Sequence, residues 1–541
     1  MTPAADLLYA DAVIVGGGLT GTLAARELLR AGLRVLLLRD GRGASPGVAG
    51  FNIAGAVPGD TPACFLSDTE KSAGGIGDPV LERTLCEESA TLPAYLADLG
   101  FFPDHRTDGT LSVRQSLGST YARVAGHGNT SGADILALAD TAMAADPNFT
   151  LLEHTRAVRL LPSEEGIGGV LAYDREKKSF LRLQAPAVLL ASGGYAGLYP
   201  FTSNPHDLTG DGMGMALLAG APGVHMEFVQ FEPSSAVYPD AIRGKGMITT
   251  LLYEGAVLRN AEGERFMLRQ STDGERVNKD VLARAIAREI REGRGTLHGG
   301  VWFDCTGVPK ERMESAYLPF LRRYRAVGID LFTQPAEVAC GAHTALGGVL
   351  TDGACRTSLP GLFAAGEAMG TLHGANRIGG SAGSETLIFS RVAAHAMAEY
   401  LRQTKPLSSA ALPVFTDGAA PLSAGERSAI ADAMKTALGR GAGVLRREEE
   451  LNDTLATLRS LHDKVRHAGV RDAEELAGKL TLENRLVAAL ALAESALLRT
   501  DSLGCHTRED FPAPPAEPYR TVVTVKDGVP SAHKQSLSPQ N

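Results

Sequence analysis

The hexad Gly16-Gly17-Gly18-Leu19-Thr20-Gly21 stands between two short apolar runs, residues 11–15 and 33–38. Glycines at this spacing suit a dinucleotide pyrophosphate. Gly16 permits a tight turn, Gly18 lets backbone approach the phosphates, and Gly21 lets a helix pack closely on a strand. The helix that follows, with Leu19 and Thr20 in the turn leading into it, would offer the anion its unpaired N–H groups and the positive end of its dipole. An acid about 20 residues further on would take ribose hydroxyls. Asp40 stands 19 residues after Gly21 and follows Arg39, so both are candidates.

The elements that must position these residues are a strand, a glycine turn, a helix over 22–31 ended by Gly32, and a second strand. Two later segments repeat the strand-then-glycine pattern, APAVLLASGG at 185–194 and LPGLFAAGEA at 359–368. Three such segments in this order predict a discontinuous flavin domain. The chain leaves the sheet, builds a substrate domain and returns, with Ser192, Gly193 and Glu367 at strand ends near the cofactor. Leucine stripes at 448–465 and 482–499 predict amphipathic helices whose apolar faces form a bundle core. Pro-rich stretches at 405–421 and 511–518 read as a linker and a tail entry.

The 541 residues exceed what one core organises. With 44% hydrophobic and 21% charged residues the chain is globular, not disordered or fibrous. A net charge of −9 with no long basic run argues against nucleic acid as a partner. Six scattered cysteines without a C-x-x-C pair predict neither a disulfide framework nor a metal or iron–sulfur ligand set. No stretch of eighteen apolar residues is present, and residues 1–11 carry Asp6 and Asp11 but no base. A cytoplasmic protein with no membrane insertion and no signal peptide is therefore expected.

With VIVGGGLTG, LLASGGYAG, TGDGMGMALLAGA, MEFVQFEPS, HTALGG and LHGANRIGG in view, the chain resembles the flavoproteins of the succinate dehydrogenase, fumarate reductase and L-aspartate oxidase family. The resemblance implies an α/β Rossmann-like, discontinuous FAD-binding domain with an inserted α+β capping domain and a C-terminal helical domain. The expected boundaries are 1–229 and 343–404 for the FAD domain, 230–342 for the cap, 405–422 for a linker, 423–510 for the helical domain and 511–541 for a tail. It adds Ser45, Gly47, Asp211 and Ser381 to the expected cofactor contacts. It implies that His343 and Arg377 anchor a substrate carboxylate, which suits the planar two-donor fork of arginine.

The departures from the family pattern carry the substrate argument. Covalent members attach flavin through a His; here Pro46 holds that place, so FAD is expected to bind noncovalently. The family's Q-F-H-P is Gln230-Phe231-Glu232-Pro233, its T-E-G is replaced within residues 248–251, with Thr249 the nearest substrate-binding candidate, and its proton-delivering Arg is Lys279. A carboxylate about 4 Å from an ionised Glu232 would be repelled by roughly 1–4 kcal/mol, depending on the effective dielectric. Lys279 could serve as the catalytic acid, with Glu232 tuning it, or the two could simply pair.

These residues predict an FAD-dependent oxidoreductase that transfers hydride between flavin N5 and a small organic acid with one clamped carboxylate, other than ordinary fumarate or succinate. Two alternatives stay open: an L-aspartate-oxidase-like amino acid oxidase, and a flavin-binding electron-transfer or assembly subunit without catalysis. A separate electron-transfer subunit is a candidate partner.

Overall fold

The computed structural model describes residues 5–247, 249–404 and 419–537. In chain order the elements that position the site are β1 (Ala12–Val15), α1 (Leu19–Arg30), β2 (Val35–Arg39), β3 (Phe149–Glu153), β4 (Ala187–Leu190), α2 (Asp211–Leu218), β5 (Val229–Tyr238), α3 (Lys279–Arg291), β6 (Ala336–Ala345), β7 (Leu362–Ala364), α4 (Ser381–Gln403), α5 (Ala424–Gly441), α6 (Glu448–His467) and α7 (Ala473–Leu498).

A five-stranded parallel sheet in the order β7-β4-β1-β2-β3 forms the floor. The apolar runs that build β1, β2 and β4 are buried along their whole length, as parallel strands covered on both faces must be. Because all five strands run one way, their carboxyl ends share one edge, where ligands bind in open α/β sheets. The three strand-then-glycine segments therefore meet although more than 340 residues separate the first from the last.

Helix α1 buries Leu19, Leu23, Ala24 and Leu28 at helical spacing against the sheet and α4. It ends at Ala31, and Gly32 follows with φ +78°. Gly16 takes φ +117°, and a Cβ there would sit 2.3 Å from the Ala191 carbonyl oxygen. A Cβ on Gly21 would sit 1.9 Å from the Gly16 carbonyl oxygen, so helix and turn can touch only without one.

Between β4 and β7 the chain builds a second antiparallel sheet in the order β5, β6, Val301–Asp304, Val257–Arg259. This sheet has its own apolar cluster around Leu251, Phe266, Leu282, Phe303 and Tyr324. β5 and β6 set Gln230 opposite Thr344 and Glu232 opposite Gly341. Helices α5, α6 and α7 pack on one another through Leu438, Leu451, Leu455, Leu458, Leu486 and Leu490.

The C-terminal residues differ from the expected tail. Tyr519–Lys526 and Val529–Ser536 form a hairpin whose first strand pairs with Gly223–Val224. Thr521, Val522 and Val523 are buried in that pairing. The β-branched run in Tyr519–Lys526 and the Asp527-Gly528 turn after it are the local signals of this hairpin, and the tail reading passed over them. Most of the expected linker, 405–418, lies outside the described residues, as does Ile248.

Candidate active site

A cavity of about 840 Å³ opens at the carboxyl edge of the five-stranded sheet. Its walls take in the turn at Gly16–Gly18, the first turn of α1, the 41–50 segment, the loop from Ser192 to α2, and residues of β6 and α4. Leu19, Thr20, Asp40, Ser45, Gly47, Ser192, Gly193, Asp211 and Glu367 all line it.

The lining fits a dinucleotide. Gly18 opens α1 with no side-chain cap, which leaves the helix N-terminus to the cavity. Ser45 Oγ accepts the Leu19 N–H at 2.9 Å and so fixes the loop that closes the turn. The Ser192 hydroxyl is buried with no partner among the described residues, an orphan that a ligand's polar atoms would satisfy. Pro46, which has no nucleophilic side chain, lines the same stretch.

Asp40 receives Arg156 Nε at 2.7 Å and Arg175 Nη1 at 2.8 Å. Burial would raise its carboxyl, yet the two guanidiniums hold it below the usual range. Asp211 pairs with Arg485 Nε at 3.1 Å. Glu367 accepts the Ala345 N–H at 2.9 Å, and burial pushes it up to about 7.

Two expected cofactor contacts turn away. Arg39 runs beneath Gly17, where a Cβ would meet its Cγ at 2.6 Å, and pairs with Asp140 at 2.6 Å and Glu153 at 3.0 Å. Strand alternation aims it at the helix Ser131–Met143 and leaves Asp40 to the cavity. Ser381 is buried at the start of α4, where its Oγ accepts Asn52 Nδ2 at 3.1 Å, while its neighbours Gly380 and Ala382 face the cavity. Gly21 sits behind the wall, in the packing role its spacing predicts.

Arg377 and His343 reach the same cavity from α4's leading loop and from β6. Arg377 is only 6% exposed. It gives Nη2 to Gln230 Oε1 at 2.8 Å and Nη1 to the Ile378 carbonyl at 3.2 Å. Its Nε has no partner, and it forms no ion pair with a carboxylate among the described residues. Burial lowers its pKa, which Glu385, Glu367 and Glu232 offset only from beyond ion-pair distance, and its open donors suit an arriving anion. His343 lies with Nδ1 2.8 Å from Ser203 Oγ. Burial, together with nearby Lys279, lowers it to about 3, so the ring is neutral at physiological pH.

Gln230 is a residue that sequence reasoning passed over. Its Nε2 bonds the Asn376 side chain at 2.8 Å and the Arg377 carbonyl at 2.9 Å, while its Oε1 receives the guanidinium. It stands in the same quartet as Glu232, so the signal was in plain view.

Glu232 and Lys279 meet each other. Lys279 Nζ lies 2.5 Å from Glu232 Oε2, and Ser234 Oγ donates to Oε1 at 2.7 Å. Burial would raise Glu232, but Lys279 and the neighbouring His343 bring it below its ordinary value. Neither member of the pair is among the residues that line the cavity, but both lie close enough to His343, which does line it, to act on its charge. Lys279 heads α3, where a lone cation would oppose the helix dipole; the carboxylate offsets that. Thr249 also lies off the cavity, buried in a turn of the cap beside Leu251 and Leu252. Arg284 bonds Asp280 at 2.8 Å and the Gly504 carbonyl at 3.0 Å, a structural brace.

No helix among the described residues is long and apolar enough to cross a membrane. Residues 11–382 match the FAD binding domain model, and residues 431–537 match the model for the fumarate reductase flavoprotein C-terminal region. The chain is 34% identical to a chain of the CoM/CoB fumarate reductase of Methanothermobacter marburgensis, over 96% of this chain and 97% of that one. It is 33% identical to L-aspartate oxidase of Caulobacter vibrioides, again over 96% and 97%. Among solved structures, a point variant of the E. coli quinol fumarate reductase FrdA superposes with a TM-score of 0.90 at 25% identity, covering 99% of this chain and 98% of that one. The chain is therefore an FAD-dependent oxidoreductase and belongs to the flavoprotein family of fumarate reductase, succinate dehydrogenase and L-aspartate oxidase.

Proposed function

We propose that the protein oxidises or reduces a small organic acid held by a single carboxylate clamp. The observation that carries this reading is the Arg377 guanidinium, buried, braced by Gln230 and Thr344, and without a carboxylate of its own among the described residues. Arg377 and the neutral His343 would bind one substrate carboxylate and fix the reacting carbon beside the cofactor, which is catalysis by positioning. FAD, held noncovalently by the Gly16–Thr20 turn, Ser45, Gly47, Ser192, Gly193, Asp211 and Glu367, supplies hydride transfer chemistry when bound.

The Glu232–Lys279 pair takes the place of the family's second carboxylate anchor. With both charges engaged by each other, neither Glu232 nor Lys279 is free for a second substrate carboxylate, which supports a substrate other than ordinary fumarate or succinate; the cations that line the cavity from the inserted region are Lys245 and Arg323. Lys279 would hold the transferable proton at Nζ, reaching the substrate when the cap closes over the cavity and excludes water. An amino acid oxidase would use Glu232 to accept the substrate ammonium group, and that carboxylate is already engaged by Lys279 and Ser234.

A stopped-flow screen of unsaturated acids against reduced protein, and of saturated acids and amino acids against oxidised protein, tests the reading through flavin absorbance. Turnover with a compound carrying one carboxylate near the reacting bond is the expected result. Efficient turnover of fumarate or succinate, or peroxide release with amino acids alone, would overturn it.

A further inference from the structure

Cations also gather beside the cofactor cavity. A groove of about 550 Å³ runs between the strands Thr155–Pro162 and Ile167–Asp174 on one side and helices α5 and α7 on the other. Arg156, Arg175, Lys178, Arg427 and Arg485 line it against a single acid, Glu474. The chain as a whole carries −9, so this concentration of positive charge runs against its composition.

The cations differ in how far they are neutralised. Lys178 takes Glu474 at 3.0 Å, Arg485 takes Asp211, and Arg156 and Arg175 must share Asp40. Arg427 gives one N–H to the Leu422 carbonyl at 2.6 Å and forms no ion pair among the described residues. Beside them Tyr173, only 6% exposed, contributes to the same wall, and its hydroxyl has no partner among the described residues. The floor is apolar, with Val158, Ala431, Ala477 and Leu482.

A guanidinium with spare donors, an orphan hydroxyl and an apolar floor together fit a molecule with a phosphate at one end and a flat or apolar body at the other. We propose that this groove is a second binding site, separate from the cofactor cavity, for a phosphate-bearing small molecule of the nucleoside phosphate class.

The site shares a wall with the cofactor cavity. Arg156 lines both, and Asp40 and Asp211 face the cavity while holding arginines of the groove. A phosphate that draws on Arg156 and Arg485 competes with those two acids. Occupancy of the groove then alters FAD affinity, and FAD alters the affinity of the groove by the same factor.

The test is calorimetric titration of ADP into FAD-loaded protein, with flavin absorbance followed in parallel and inorganic pyrophosphate as a second probe. Saturable ADP binding with FAD retained is expected, weakened at least ~10-fold in Arg427→Ala or several-fold in Tyr173→Phe, which keeps the ring. Pyrophosphate binding as tightly as ADP would assign the groove to free phosphates rather than to nucleotides, with the same residues responsible. No saturable binding of either probe up to about 1 mM, binding that both variants leave unchanged, or ADP uptake matched by FAD release would overturn the proposal.

Discussion

Breaking the Glu232–Lys279 pair should separate its packing role from its chemistry. The two side chains are 9% and 13% exposed and lie 2.5 Å apart, so each is the other's main compensation for lost hydration. Glu232→Met leaves the ammonium buried without its carboxylate, and Lys279→Met leaves the carboxylate with Ser234 alone. Removing one member of a buried pair costs about 3–5 kcal/mol, whereas replacing both by apolar residues of similar volume is close to neutral. Thermal unfolding of the holoprotein should therefore show each single variant well below wild type and the Glu232→Met/Lys279→Met double variant recovering most of the loss. Because the carboxyl of Glu232 is lowered in the folded chain, the pair's contribution is complete above its ordinary value of 4.5 and fades as pH falls through the folded value. The gap between wild type and the Lys279→Met variant should narrow accordingly in acid. Losses that simply add in the double variant would refute the pairing argument. Turnover lost in a double variant that has regained its stability would point to Lys279 as the proton-holding group.

Two further outcomes follow from the site. Denaturation in acid should release all the flavin into the supernatant, because Pro46 offers no attachment point; flavin that stays with the precipitated chain would contradict noncovalent binding. Glu367 is pushed up to about 7 when folded, so the cofactor-free protein should lose stability as pH rises from about 4.5 towards 7, and Glu367→Gln should flatten that slope. An unchanged slope in the variant would mean that Glu367 is not the group responsible.

Much of the site could be read before the structure, because its determinants are local. The Gly16–Gly21 turn works within one strand–turn–helix unit, and Gly16 and Gly21 sit where a tight turn and close helix packing leave no room for a Cβ. The strand ends at Ser192 and Glu367 follow from apolar runs that end in glycine. Long-range pairing was harder to read. Glu232 and Lys279 are 47 residues apart, and nothing local says that α3 brings one to the other. Arg39 and Asp40 are adjacent, and only the direction of the strand's pleat decides that one faces Asp140 and the other the cavity. The hairpin at 519–536 carries a local signal that the tail reading passed over, the run Thr521–Val525 followed by Asp527-Gly528, both at positive φ, whereas its pairing with 223–224, about 300 residues upstream, has no local signal.

The most direct test of the single carboxylate clamp is the titration of FAD-loaded protein with a small inert carboxylate, followed by the flavin difference spectrum, in wild type, Arg377→Lys and Arg377→Met. Charge-assisted hydrogen bonds are worth about 1.5–3 kcal/mol each, so Arg377→Met should weaken binding by roughly 10- to 100-fold or more while flavin stays bound. Arg377→Lys, which keeps the charge but loses the fork, should fall between. Carboxylate affinity in Arg377→Met equal to that of wild type, with the flavin still in place, would contradict the account.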